Sequence, residues 1–269
     1  MLKHRVLTLL VLVPLLLLAI WYLPMPWFGF LIGSVMAWAA WEWSALARIK
    51  NYCFRALYLI SALLILIGTY YLPIFWVSII SSVVWLWAAA AVICYAKGFL
   101  PLGFQYNVTK IVVSFFVLTS FWMAGVTLRE DIGGPGWLLF GLVLVWAMDI
   151  GAYAAGRWWG KRALIARVSP NKTWEGLWGG VVLTLAVAVI VSFIFHQPFF
   201  RLILISLLAL VTAIFAIIGD LFESMLKRQA GVKDTGQLLP GHGGILDCVD
   251  SILAALPIFL LGSLWIWLI

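Results

Sequence analysis

Residues Ile218–Ser251 read IGDLFESMLKRQAGVKDTGQLLPGHGGILDCVDS. Within this stretch lie five carboxylates, Asp220, Glu223, Asp234, Asp247 and Asp250, with Lys227, Arg228, Lys233, His242 and several glycines. Long apolar runs flank it on both sides. A polar island between two greasy segments is the mark of a membrane protein that uses its polar groups. The rest of the chain agrees. Of its 269 residues, 65% are hydrophobic and 10% charged, against about 25% charged in soluble domains. The expected fold is all-α, a polytopic integral membrane protein forming one domain over residues 1–269. The N-terminal helices occupy 1–107, and the chemistry belongs to helices and loops of 108–269.

A span needs roughly 20 apolar residues. Nine candidates follow: Val6–Leu23, Trp27–Ala47, Phe54–Leu72, Ile74–Ala96, Val108–Leu128, Trp137–Gly156, Thr173–Phe195, Leu202–Leu226 and Gly243–Ile269. The junction at Leu72–Pro73 is tight enough for a re-entrant pair. The first segment resembles a signal peptide in having Lys3, His4 and Arg5 ahead of its apolar run. That run is too long and lacks a cleavage site, so it is expected to stay. The net charge of +7 then reports topology rather than nucleic-acid binding. With the N-terminus in the cytoplasm and nine alternating helices, all but two of the 17 lysines and arginines, Arg129 and Arg201, fall on the inner side, as positive-inside bias requires. The C-terminus is expected on the opposite side. Tryptophans near helix ends suit an interfacial belt, and His4 and His196 read as ordinary interfacial residues. Cys53, Cys94 and Cys248 form no metal or disulfide pattern.

Asp149, Asp220, Glu223, Asp247 and Asp250 all fall inside candidate spans. Facing lipid, five such groups would cost on the order of 12–18 kcal/mol, more than a typical net stability of about 5–15 kcal/mol. They must line a wet cavity or hold cations. Their spacing permits convergence: Asp220, Glu223, Ser224 and Lys227 share one helix face, Asp247 and Asp250 another, and Asp149, Tyr153 and Arg157 a third. Oxygen-only ligands favour Mg²⁺ over zinc. The metal candidates are Asp220, Asp247, Asp250 and Glu223. Buried ion pairing with Lys227, Arg228, Lys233 or Arg157 is the plain alternative.

Two loops complete the picture. Pro240-Gly241-His242-Gly243-Gly244 opens the last helix, and a glycine-rich turn there can cradle an anion. In Val168-Ser169-Pro170-Asn171-Lys172-Thr173, Ser169 reads as an N-cap and Pro170 as the first helical residue. That puts Lys172 in a first turn, where a cation makes sense beside a docked anion.

These residues resemble a known family. Ser224-Met-Leu-Lys227-Arg228, Lys233-Asp234, Leu239-Pro240-Gly241-His242-Gly243-Gly244, Asp247 and Asp250 look like the signature of bacterial CDP-diacylglycerol synthases, the phosphatidate cytidylyltransferases. Trp41-Glu42-Trp43, Trp146-Ala147-Met148-Asp149 and Ser169-Pro170-Asn171-Lys172-Thr173 resemble members too. The resemblance implies that phosphatidate (phosphatidic acid) and CTP give CDP-diacylglycerol and pyrophosphate, with Mg²⁺ and a K⁺ ion. It also implies a nine-helix homodimer in the bacterial inner membrane. Cys248 departs from the family, which has arginine there.

Mapped onto that chemistry, Asp220, Asp247, Lys227 and His242 are the expected catalytic residues. Lys172, Ser169, Asn171, Ser224, Arg228, Lys233, Asp234, Gly243, Gly244 and Asp149 are the expected substrate contacts. A CTP-dependent lipid-alcohol kinase and a cation-coupled transporter are the rival functions.

Overall fold

A computed structural model describes the backbone of residues 2–238 and 243–268. Among them are nine α-helices: α1 Leu2–Tyr22, α2 Met25–Leu46, α3 Tyr52–Thr69, α4 Ile74–Ala96, α5 Asn107–Glu130, α6 Gly134–Trp159, α7 Trp174–Ile194, α8 Phe199–Ala230 and α9 Ile245–Leu268. Seven of them, α3 to α9, are long and apolar enough to cross a membrane. The Trp, Gly and Ser residues and Glu42 dilute the hydropathy of α2, yet its Met36, Ala39, Ala40 and Trp43 lie in the protein core. Leu72–Pro73 is a turn between two full-length helices, α3 and α4, and not the tip of a re-entrant pair.

Contacts at the helix ends show that neighbours alternate in direction. At one end, Arg129 near the end of α5 donates through Nε to Ile20 O at 2.7 Å, and also to Leu23 O, where α1 gives way to α2. At the other end, Arg48 after α2 donates to Gln229 O near the end of α8. Trp43 Nε1 donates to Lys110 O at the start of α5 at 3.0 Å, and Arg167 stacks on Tyr95 at the end of α4. The ends of α2, α4 and α8 and the start of α5 therefore gather at one polar end. Between them, Trp43, Trp85 and Phe104 pack around Phe222.

Two close approaches place the site. An added Cβ at Gly151 of α6 would sit 2.6 Å from Gly179 O and 2.9 Å from Gly180 Cα on α7. One at Gly219 of α8 would strike the Asp250 backbone of α9. Small residues let membrane helices touch backbone to backbone, where packing and not water exclusion drives association.

The segment before α7 differs from expectation. Ser169–Thr173 is a strand, β2, paired antiparallel with β1, Ala163–Ile165. The helix starts only at Trp174, and its N-cap is Thr173, whose Oγ1 accepts from Gly176 N at 3.1 Å. The backbone amides are claimed by the hairpin: Val168 N bonds Ile165 O and Trp174 N bonds Arg162 O. Pro170, read as a helix start, instead sits in an extended strand, which its fixed φ also permits. Lys172 is thus carried on a hairpin and not in a helical first turn. Glu175 anchors the hairpin root by accepting from Lys161 N and Arg162 N.

Candidate active site

Helices α8 and α9, held close at Gly219, present their acids toward each other. Lys227 bridges them: its Nζ lies 2.7 Å from Glu223 Oε2 on its own helix and 2.7 Å from Asp247 Oδ1 on α9. One turn toward the middle of α8, Asp220 pairs with Lys172 from the hairpin and accepts from Ser224 Oγ at 3.4 Å. Asp250, one turn on from Asp247 in α9, lies within electrostatic range of Asp220, Glu223, Lys172 and Asp149. Asp149 reaches in from α6, where its Oδ1 accepts from Ser251 Oγ at 3.4 Å. Arg228 Nε ties α8 to the hairpin through Val168 O at 3.2 Å. The five intramembrane acids therefore gather from three helices, as their spacing predicted.

Openness varies across the cluster. Glu223 is 3% exposed. The Lys172 and Asp220 side chains are each 27% exposed, so the site opens on their side. Asp149, Tyr153 and Arg157 are exposed, and of that stripe Asp149 reaches α9. Ser169 is partly buried on the strand, whereas Asn171, Lys233 and Asp234 are exposed around the mouth. Pro240, Gly241 and His242 lie outside the described residues.

The start of α9 is organised by an acid that the sequence reading did not place in the site. Glu42 of α2 accepts from Ile245 N at 3.0 Å and Leu246 N at 2.9 Å. It also accepts from Thr235 Oγ1 and Trp38 Nε1. Those amides are the orphan donors of a helix N-terminus, and the anion that meets them is the chain's own carboxylate. Asp247 fixes the preceding loop: its Oδ2 accepts from Thr235 N at 2.8 Å, Thr235 Oγ1 at 2.9 Å and Gly244 N at 2.8 Å. Gly243 adopts φ +98°, and a Cβ there would lie 2.6 Å from that oxygen. Glu42 stood in the sequence as Trp41-Glu42-Trp43, an acid in an apolar run with no lysine or arginine three or four residues away. That was the available signal.

The chemistry of the set suits a hard cation. Every donor is oxygen, the carboxylates outnumber Lys172 and Lys227, and Glu223 Oε1 is buried without a hydrogen-bond partner. Among the described residues, no three His, Cys, Asp or Glu side chains converge into a metal-binding group. The acids are drawn onto two separate lysines instead, and Asp247 Oδ2 already takes three donors.

A cluster of acids and lysines drawn from α6, α8, α9 and the hairpin thus lies at one polar end of a bundle of apolar helices, the arrangement of a membrane protein with a buried polar site. Family comparison agrees: the Cytidylyltransferase family model matches residues 3–264, and the chain belongs to that family. It is 37% identical to a phosphatidate cytidylyltransferase of Pseudomonas aeruginosa, covering 96% of each chain. It is 34% identical to that of Haemophilus influenzae, over 96% of this chain and 97% of the relative. Identity to the phosphatidate cytidylyltransferase of Bacillus subtilis is 44% over 127 residues, 47% of each chain.

Proposed function

We propose that this protein transfers the cytidylyl group of CTP to phosphatidate, releasing pyrophosphate and leaving CDP-diacylglycerol. The observation that carries this reading is near-full-length similarity to phosphatidate cytidylyltransferases, joined to a lysine–carboxylate cluster where two anions can meet. In this reading the enzyme is a homodimer of the bacterial cytoplasmic membrane. Its polar end faces the cytoplasm, where CTP is found.

A phosphate oxygen of phosphatidate attacks the α-phosphorus of CTP. The bond from that phosphorus to the β-phosphate bridging oxygen breaks, and the electron pair leaves with pyrophosphate. The nucleophile is already an anion, so no general base is needed. The obstacle is repulsion between two anions, and catalysis is positioning plus neutralisation of charge. Lys172, on the open side, swings from Asp220 to a substrate phosphate. Lys227 stays between Glu223 and Asp247 and holds α8 and α9 in register while offering its remaining proton to a phosphate oxygen. Arg228 and Lys233, with Ser169, Asn171 and Ser224, surround the mouth and guide the nucleotide. Asp220, Glu223, Asp247 and Asp250 are the residues that would hold Mg²⁺, and a bound Mg²⁺ would supply charge neutralisation for the phosphates.

The test is an assay of purified enzyme with CTP labelled separately in cytidine and in the γ-phosphate. Cytidine label in the lipid supports the proposal. Label from the γ-phosphate alone means lipid-kinase chemistry and overturns it. Lys172→Met is expected to lower kcat by at least about 100-fold, the scale for losing one charge-stabilising group, with the fold intact by thermal melt.

A further inference from the structure

A second feature lies on the far side of α2 from the carboxylate cluster. A groove of about 600 Å³ runs between the α2–α3 loop, α3 and α5. It is lined by Arg48 and Lys50 together with apolar side chains, Phe54, Leu57 and Phe115 among them. Lys110 adds a third cation beside it. Lys110 lies one turn before Ser114, whose Oγ takes the Tyr58 hydroxyl proton at 2.7 Å, so it sits on the face of α5 turned to α3. It is only 2% exposed and lies in the field of Arg48. Among the described residues neither Arg48, Lys50 nor Lys110 is paired with a carboxylate.

A buried, unpaired lysine in the field of an arginine is a costly arrangement, since the lysine loses water and the two charges repel. An anion relieves both penalties. The groove also presents large apolar side chains beside the cations, at the polar end of a helix bundle. A ligand that satisfies both halves has an anionic phosphate head and a hydrocarbon chain.

We propose that this groove seats an anionic phospholipid of the surrounding bilayer. Its phosphate rests on Arg48 and Lys50, with the buried Lys110 adding positive charge from behind, and an acyl chain lies along Phe54, Leu57 and Phe115. The site is separate from the catalytic acids and adjoins them structurally. Arg48 also donates to Gln229 O, two residues beyond Lys227, and Glu42, a turn and a half before Arg48, caps α9. Arg48 and Lys50 favour phosphatidate or phosphatidylglycerol over phosphatidylcholine, whose choline they repel.

Native mass spectrometry of the full chain in detergent, with each lipid added in turn, tests this. The expected result is retention of phosphatidate and phosphatidylglycerol at least fivefold above phosphatidylcholine. Arg48→Gln with Lys50→Gln is expected to abolish that preference, and Ser61→Trp, which fills the groove and keeps every cation, to lower retention of both anionic lipids. Equal retention of all three lipids, or variants that hold anionic lipid like the parent, overturns the proposal. Displacement of lipid by millimolar inorganic phosphate also overturns it, because it reduces the site to a headgroup pocket. Greater retention of phosphatidate than of phosphatidylglycerol assigns the seat to a phosphomonoester head, and equal retention to anionic lipid in general, both within the proposal. A thermal melt of each variant confirms that it is folded.

Discussion

Glu42 shows how one side chain can set the geometry of a distant site. It sits in α2, yet its two oxygens take the first amides of α9 and the hydroxyl of Thr235. Replacing it with Gln leaves a single acceptor oxygen and removes the charge from these bonds. Hydrogen bonds to charged groups contribute about 1.5–3 kcal/mol each, so Glu42→Gln is expected to destabilise the protein by about 2 kcal/mol. A melting curve in detergent reads this as a fall of several degrees, and cytidylyl transfer should fall with it as Asp247 loses its register. Cys248 offers the opposite change. It is partly buried in the field of Asp250, Asp247, Glu42 and Glu223, of which Asp247 and Glu223 share the single cation Lys227. A guanidinium there would answer that excess. Cys248→Arg is therefore expected to raise kcat/KM severalfold, and an unchanged or lower value would mean that the acids are already compensated.

Among the elements, the α6–α7 pair carries the tightest demand. Gly151 meets Gly179 and Gly180 backbone to backbone, and this contact brings Asp149 and the β-hairpin with Lys172 to the same side of the bundle. An extra methyl has nowhere to go, because the obstructing atoms are main chain. Overpacking of a close-packed interior costs about 1–3 kcal/mol. Gly151→Ala is expected to lower the melting temperature and to weaken CTP binding through displacement of Lys172, seen as a rise in KM. The hairpin illustrates a limit of reading by local signals. Ser169-Pro170 fits a helix start as well as it fits a strand, and the choice was made by pairing with Ala163–Ile165, residues that carry no periodic signal of their own.

For the molecule as a whole, the alternation of helices brings Arg48, Arg167, Lys172, Lys227 and Arg228 to the end where the acids meet. Positive residues resist translocation, so that end is expected in the cytoplasm. With Cys94 and Cys248 replaced by Ala, Cys53, exposed at the start of α3, should resist a membrane-impermeant maleimide in intact cells. A Gln197→Cys probe on the Cys53-free background, between α7 and α8, should be labelled. The reverse pattern would invert the topology and put the site on the wrong side for CTP.

The division between what was legible in the chain and what was not follows from the range of the forces. Apolar runs of membrane length, the loops between them and the charge bias are local or additive properties, so span positions, helical class and the identity of the acids could be read directly from residue order. Pairing is not additive. That Lys172 meets Asp220, that Lys227 joins α8 to α9, that Glu42 supplies the anion at the start of α9, and that Lys110 is buried beside Arg48 all depend on helices separated by tens to hundreds of residues being held at one distance. Backbone contact sets the spacing of α8 and α9 at Gly219 and that of α6 and α7 at Gly151, and only the packed bundle expresses the rest.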